Sequence, residues 1–454
     1  MKRFALLTFL LLLPVFVFGQ DIETILKTRL TEEPVGSAIS AVVVDENGAT
    51  FYNVGTLSKD AGARPADENS VYEIGSITKV FTGILLAEAI KRGEVKLDDP
   101  ISKFLPSSIA PLKYGDKEIT LKDLTTHGSG LPSLPDDFKP KDPLNPYADY
   151  TVEQLYAFLG RYKLTREIGS QFEYSNLAVG LLGHILAKQA KVNYEELVKK
   201  RILEPLGMKD TAITFSPSMK KHLAVGHDAS GKATSNWDLP TFAGAGALRS
   251  TAKDMAKFLA ANLGLKKTKI SDSLAKSHEL LRTFERENAP TFRVGYNWIT
   301  TKPGDIDIQW HNGGTGGYRT FAGLDHSKKR GVFVATNGSE SADDIGFHIL
   351  DPKAKLRVVE PPKKEVELSE EQLEQYVGKY ELTPTFAIVI TREGKHLYGE
   401  PTGQSRLELF AEKEDEFFLK AVKVSLSFTR GEDGNVNGLV LHQGGADTPG
   451  KRVQ

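Results

Sequence analysis

The feature that most constrains this chain's fold is where its extended segments lie. In the first 350 residues, strand-forming runs occur at the two ends, and the middle reads as helix and loop. Ala38 to Val44 and Ala49 to Val54 are apolar runs joined by Asp45-Glu46-Asn47-Gly48, a sequence that predicts a hairpin turn. Short extended runs return only at Phe292 to Thr300, Ile306 to His311, Tyr318 to Leu324 and Val332 to Asn337, with a helix expected near Ser341 to Leu350. Between the two ends, Gly180 to Lys191 and Asp254 to Leu263 carry helical apolar spacing, and Leu134 to Pro146 is rich in proline and aspartate. Strands at both ends of a helical middle predict one sheet assembled from distant pieces of chain. The expected class is α/β (α+β), an antiparallel sheet flanked by helices with an inserted helical lobe.

One segment within that frame carries nucleophilic chemistry. In Glu73-Ile74-Gly75-Ser76-Ile77-Thr78-Lys79, glycine ends an extended run and Ser76 opens the long apolar segment from Val80 to Ile90. One helical turn separates Ser76 from Lys79, so both side chains project on one face. A serine hydroxyl is a poor nucleophile near neutral pH unless a neighbour takes its proton, and a lysine one turn away can accept that proton or tune the group that does. The tetrapeptide alone is weak evidence. Ser-x-x-Lys occurs four times, at Ser76, Ser218, Ser250 and Ser273, and an exposed face or a cap is the ordinary explanation of each. Ser250 or Thr251, for example, is expected to cap a surface helix. Only the Ser76 copy combines a glycine entry with a long apolar helix.

Two further clusters could complete a site. Tyr174-Ser175-Asn176 leads into an apolar helix and is the only Tyr-x-Asn in the chain. A tyrosine, whose unperturbed pKa is ~10, serves as a base only if a cation such as Lys79 stabilises its phenolate. Asn176 could hold Lys79 and a substrate amide. The plainer alternative is that Tyr174 packs and Asn176 caps the next helix. The other cluster, His311-Asn312-Gly313-Gly314-Thr315-Gly316-Gly317, ends an extended run with glycines that allow a ligand close to the backbone. An N–H there and that of Ser76 would form a two-donor oxyanion hole. A glycine-rich bulge with an incidental histidine is the alternative. A second His-x-Gly, at His442, is expected to be only a turn.

Ser-x-x-Lys, Tyr-x-Asn and His-x-Gly, in this order, resemble the motifs of the serine β-lactamase and penicillin-binding protein superfamily. Tyr-x-Asn in second place is similar to the class C β-lactamase and D-alanyl-D-alanine carboxypeptidase branch. Thr125-Thr126-His127-Gly128-Ser129-Gly130-Leu131-Pro132 and Ala243 to Met255 add to that likeness, which spans about residues 22 to 350. The resemblance implies that Ser76 is acylated, that Lys79 and Tyr174 are the acid–base pair, and that Asn176 contacts substrate. It also implies that His311, Asn312, Gly313, Gly314 and Thr315 line the substrate site, with oxyanion donors from Ser76 and Gly314. No metal or cofactor is implied. One departure matters: the third motif is His311-Asn312-Gly313 rather than Lys-Thr-Gly. Lysine keeps a fixed charge for a substrate carboxylate, whereas histidine is largely neutral at pH 7. Weak β-lactam hydrolysis is therefore expected, with peptide or ester hydrolysis favoured. A binding protein of this fold without turnover is the competing reading. An α/β-hydrolase is excluded, because Gly-x-Ser-x-Gly is absent.

Composition sets the remaining limits. With 58 basic and 59 acidic residues, nothing in the charge balance points to nucleic acid or an anionic membrane as partner. A small-molecule or peptide substrate is expected instead. Without cysteine there is no disulfide, thiol nucleophile or thiolate metal site. Met1-Lys2-Arg3 followed by the apolar run Phe4 to Phe18 reads as a secretory signal peptide over residues 1–19, hence export to the periplasm or beyond and no membrane span once it is removed. The hydrolase domain is expected over 20–350 and a charged, proline-bearing linker over 351–368. Closely spaced strand runs from Tyr376 to His442 predict a small all-β domain, sandwich or barrel, over 369–454.

Overall fold

A computed structural model describes residues 18–285, 291–358, 363, 365–383, 386–402, 406–419, 424–443 and 446–453. The expected signal peptide lies outside the described residues except for its last two, which begin the helix Phe18–Glu32. In chain order the first twelve strands are β1 (Ala38–Asp45), β2 (Gly48–Gly55), β3 (Val71–Glu73), β4 (Lys113–Tyr114), β5 (Lys117–Glu118), β6 (Arg249–Thr251), β7 (Arg282–Phe284), β8 (Phe292–Val294), β9 (Ile299–Thr301), β10 (Ile308–Gly314), β11 (Arg319–Asp325) and β12 (Arg330–Thr336).

Eight of them form one antiparallel sheet, in the order β2-β1-β12-β11-β10-β9-β8-β7. The distant ends of the domain meet where β1 pairs with β12, with Ile39 opposite Thr336 and Val44 opposite Gly331. β1, one strand in from the β2 edge, reads Ala-Ile-Ser-Ala-Val-Val-Val because both of its faces are covered. On one face Val42 and Val44 join a core containing Phe81, Phe258 and Phe333. On the other, Ile39, Ala41 and Val43 pack with Ile22 and Leu26 of the first helix and with Ile345 and Ile349 of the helix Asp343–Leu350.

The lobe is built around the helix Thr78–Lys91, whose residues are buried from Thr78 to Ala89. Phe81 stacks on Phe258 of the helix Ala252–Asn262 at 4.4 Å, and burial of such a ring pair contributes more than its area alone. Thr251 caps that second helix by accepting from Asp254 N. The helix is largely buried, however, not on the surface, and Ser250 lies in β6 bonded to Thr211. The expected strand Phe292–Thr300 is two strands. Asn297, at φ 64°, donates to the carbonyl of Gly295 and turns the chain back, so that Val294 pairs with Ile299.

The C-terminal strands close into an eight-stranded barrel, in which Tyr380 of the first strand pairs with Arg452 of the last. Tyr376, Tyr380, Phe417 and Phe428 fill its interior. Its final strand, Ala446–Arg452, has no alternating pattern in Ala-Asp-Thr-Pro-Gly-Lys-Arg. Pairing on both sides imposes its extended form, and sequence periodicity gives no signal for that. The stretch 351–368 is tied down at both ends. Asp351 accepts from the backbone of Asp305, Ile306 and Lys353, while Val366 N donates to Ala411 O of the barrel at 2.9 Å. Among the described residues, no helix is long and apolar enough to cross a membrane, and no group of three or more acidic or histidine side chains is placed to hold a metal.

Candidate active site

The Ser76 turn is placed by its two neighbours in the chain. β3 ends at Glu73, whose carboxylate is buried and accepts from Trp237 N and from the Arg249 guanidinium. Ile74 N then donates to Leu248 O, and Thr78 Oγ1 accepts from Leu248 N, so the turn is fastened to the β6 segment on both sides of Ser76. Gly75 has φ 50°, a left-handed conformation that glycine adopts without strain. Gly75–Ile77 form one 3-10 turn that runs into the helix Thr78–Lys91 and puts Lys79 one turn beyond Ser76.

Lys79 is wholly buried and has three partners. Its Nζ is 2.9 Å from Ser76 Oγ, 2.7 Å from Asn176 Oδ1 and 2.7 Å from the carbonyl of Ala245. Burial holds its pKa well below the ordinary lysine range. The second partner is available because Ser175, not Asn176, caps the helix Asn176–Gln189 by accepting from Ala178 N at 2.9 Å. The side chain of Asn176 is thus left for the site, and its Nδ2 donates to Tyr147 Oη at 3.2 Å. The third partner comes from the short helix Ala243–Gly246. Gly183 and Gly244 let it approach the Asn176 helix: a Cβ on Gly183 would stand 2.9 Å from Gly244 Cα.

Tyr174 closes the group. Lys79 Nζ sits 4.8 Å from the centre of its ring. Burial pushes its pKa upward, with the neighbouring Ser76 hydroxyl opposing. Its ring stacks on His127 with centroids 4.6 Å apart and lies 6.0 Å from His311. His127 is a residue that motif reasoning leaves without a role. It is buried at φ 57°, its Nδ1 accepts from Ser175 N at 3.1 Å, and its Nε2 has no hydrogen-bond partner. A histidine in a left-handed conformation is the signal that marks it, and dihedral angles are not visible in sequence. Burial lowers its pKa well below the usual range, with the Lys79 charge and His311 acting in the same direction.

The third cluster forms the opposite wall. β9 covers β10 only from Ile308 to Trp310, so among the described residues no strand flanks His311 to Gly314 on that side, and the Ser76 turn lies against them instead. The approach is closer than side chains would allow. A Cβ on Gly313 would stand 2.0 Å from Ile74 O, and one on Gly75 would stand 2.7 Å from Gly314 N. The two glycines therefore bring the N–H of Gly314 beside the start of the Ser76 helix. His311 is fully buried, with Nδ1 2.6 Å from Asn312 O and Nε2 unpartnered. Burial pulls its pKa down to about 3, the Lys79 charge adding to the effect and the Asn312 bond opposing it. Asn312 donates to Asp343 Oδ2 at 2.7 Å, and buried Thr315 donates its N–H to Tyr318 O at 3.1 Å. Ser76, Lys79, Tyr174, Asn176 and His311 thus converge in space. Asn312 and Gly314 border the same strand end from its other face.

Comparison with known proteins agrees with this geometry. The profile of the beta-lactamase family matches residues 28–349. The chain belongs to the beta-lactamase family. It is 31% identical over 315 residues to the D-alanyl-D-alanine-carboxypeptidase/endopeptidase AmpH of Escherichia coli K12, covering 67% of this chain and 80% of that one. It is 26% identical over 427 residues to Penicillin-binding protein 4* of Bacillus subtilis strain 168, covering 86% and 89%. A class C beta-lactamase from Rhodobacter sphaeroides superposes with a TM-score of 0.63 at 24% identity, covering 73% of this chain and 99% of that one. A beta-lactamase/D-alanine carboxypeptidase from Pseudomonas syringae gives 0.64 at 18% identity, covering 75% and 99%. Both likenesses show the fold. Residues 362–452 match a domain of unknown function. Membership makes this family member a serine hydrolase.

Proposed function

We propose that this serine hydrolase is exported and opens amide or ester carbonyls through an acyl-enzyme on Ser76, acting on D-amino-acid peptides and esters, with β-lactams as poor substrates. The observation that carries the reading is the threefold coordination of Lys79 Nζ by Ser76 Oγ, Asn176 Oδ1 and Ala245 O. Two of those partners only accept, so an uncharged amine satisfies them with its two N–H groups and keeps its lone pair for the serine proton. Lys79 then acts as the base in its neutral form, and Tyr174 remains a phenol that gives its proton to the leaving group. The sequence left two arrangements open, a lysine that takes the serine proton and a phenolate steadied by a lysine cation, and this is the first of them. The pKa directions of both groups, lysine down and tyrosine up, favour it.

In the acylation step, Ser76 Oγ bonds to the carbonyl carbon as its proton passes to Lys79. The oxyanion is received by the N–H groups of Ser76 and Gly314, each donor typically worth ~3 kcal/mol. Collapse breaks the bond to the leaving group, which takes the Tyr174 proton, and Lys79 returns the serine's proton to Tyr174. Water then attacks the ester by the same relay. Relatives named for D-alanyl-D-alanine and penicillin support the choice of substrates.

The deciding experiment is a fluorophosphonate or fluorescent-penicillin label together with a turnover screen of nitrocefin, p-nitrophenyl esters and D-Ala-D-Ala peptides. Ester hydrolysis with slow nitrocefin cleavage, both lost with the label in Ser76→Ala, is expected. An unlabelled protein that converts no ester would rule the proposal out.

A further inference from the structure

The strand end beside Ser76 has a charge pattern of its own. Along β10, His311 and Gly313 face the Ser76 turn, so Asn312 and Gly314 face the other side of the sheet. There Asn312 Nδ2 donates to Asp343 Oδ2 at 2.7 Å, at the first residue of the helix Asp343–Leu350. Arg319 lies alongside Gly314, with a guanidinium nitrogen 3.4 Å from where a Gly314 Cβ would stand. Its Nη1 is taken up by two carbonyls, and its charge is met by two carboxylates. The guanidinium donates to the carbonyls of Thr315 at 2.6 Å and Tyr318 at 2.8 Å, and it faces the carboxylates of Glu340 and Asp343. Glu340 also lies 3.9 Å from Arg357, so the described cluster sets Arg29, Arg319 and Arg357 against Glu33, Glu340, Asp343 and Asp344, three cations against four anions and a formal charge of −1. His311, where a fixed positive charge would otherwise stand, is a buried imidazole whose Nε2 has no partner.

We propose that Asp343 is a specificity-determining residue, and that this rim selects esters and amides whose leaving portion is neutral or cationic over those whose leaving portion carries a carboxylate. The inference rests on the Ser76 acyl-enzyme reading and deepens it. A carboxylate entering beside Gly314 must shed water next to Asp343 and Glu340, where the Arg319 charge already faces both carboxylates. An amide or ammonium pays no such penalty. Asn312 also cannot turn to receive an anion without taking its hydrogen bond away from the half-buried Asp343 carboxylate.

The test is a pair of thioesters sharing one N-acyl-D-alanyl group, one with thioglycolate and one with thioglycolamide as leaving group. They are assayed at pH 8, where Asp343, raised by burial to about 6, is ionised. The wild-type enzyme is expected to show kcat/KM about tenfold or more in favour of thioglycolamide, the size of effect a unit charge has in a half-buried site. Asp343→Asn should bring the ratio toward one by raising thioglycolate turnover. Asp343→Ser is the second variant should the first fail to fold. Equal use of the two thioesters, a preference for thioglycolate, or a ratio unmoved by either variant would overturn the proposal. Fluorophosphonate labelling of Ser76 is read in parallel. Loss of labelling refutes the acyl-enzyme reading itself, whereas a labelled enzyme with the wrong ratio refutes only the role of Asp343. If neither thioester turns over in a labelled enzyme, their relative protection against the label reports the same preference.

Discussion

At the scale of single residues, the proposed roles separate by pH. The neutral amine of Lys79 is the form that accepts the serine proton, and burial lowers its pKa, so that form is populated at pH values where a free lysine is charged. Ester kcat/KM should therefore rise with pH through the lowered lysine pKa and hold across the alkaline side, because burial has raised Tyr174. His311, pulled down to about 3, should add no limb between pH 5 and 9. A profile of kcat/KM against pH checks this. A bell centred on an imidazole pKa near ~6.5 would assign the base to a histidine instead. Lys79→Met should lower acylation by about 10³-fold or more while the protein still folds, and pre-steady-state labelling rates read that change directly. Four of the residues that meet at the site, Ser76, Lys79, Tyr174 and Asn176, were legible in the sequence because a helical turn fixes Ser76 to Lys79 and because Tyr-x-Asn is unique in the chain. The Ala245 carbonyl, Tyr147 and His127 were not, since a backbone acceptor, a remote phenol and a left-handed dihedral leave no pattern in one dimension.

At the scale of elements, the site depends on how closely β10 approaches the Ser76 turn. Gly313→Ala places a methyl 2.0 Å from Ile74 O and 2.4 Å from Thr320 Oγ1. Overpacking of this kind costs about 1–3 kcal/mol, and the shift of β10 that relieves it should move Gly314 N off the oxyanion position proposed for it, for a further loss of about 10²-fold in kcat. Gly160→Ala is the contrasting variant. It lies in the helix Val152–Arg161 with nothing within 4 Å of its new methyl, so it should stabilise the protein by about 0.5–1 kcal/mol without touching turnover. Paired thermal melts and steady-state rates distinguish the two. The same sheet makes the protein acid-sensitive. His278 is buried against Trp298 and His326, and burial, with the His326 charge acting in the same direction, lowers its pKa to about 4 while the Gln309 bond opposes. Its folded pKa is therefore below the unfolded value of ~6.5. The stability it contributes is fully present above that value and is lost as pH falls toward 4, by up to about 3 kcal/mol. His278→Asn should lose less stability than wild type between pH 7 and 4.5. The long central strands and helices were readable from apolar runs, whereas β7 and the split of β8 from β9 were not. At three residues each they are too short to show a period.

At the scale of the whole molecule, two closed cores are strung on one chain. The hydrolase domain buries its apolar residues on both faces of the eight-stranded sheet, and the barrel buries Tyr376, Tyr380, Phe417 and Phe428 among themselves. The sequence announced the second unit through its closely spaced strands. It could not tell sandwich from barrel, because closure depends on the pairing of Tyr380 with Arg452, a contact between the two ends of the unit. A barrel without free edges and with its own aromatic core has what it needs to unfold as one cooperative step. Calorimetry of the full chain should then show two transitions. A boronic acid that bonds reversibly to Ser76 Oγ stabilises only the unit that contains the serine, by RT ln(1 + [L]/Kd), or about 2.7 kcal/mol at a hundredfold excess over Kd. The expected result is one transition that moves upward with ligand concentration and one that stays fixed. A single transition that moves as a whole would mean that the barrel and the catalytic sheet unfold together, and that the barrel's stability is coupled to the state of the active site.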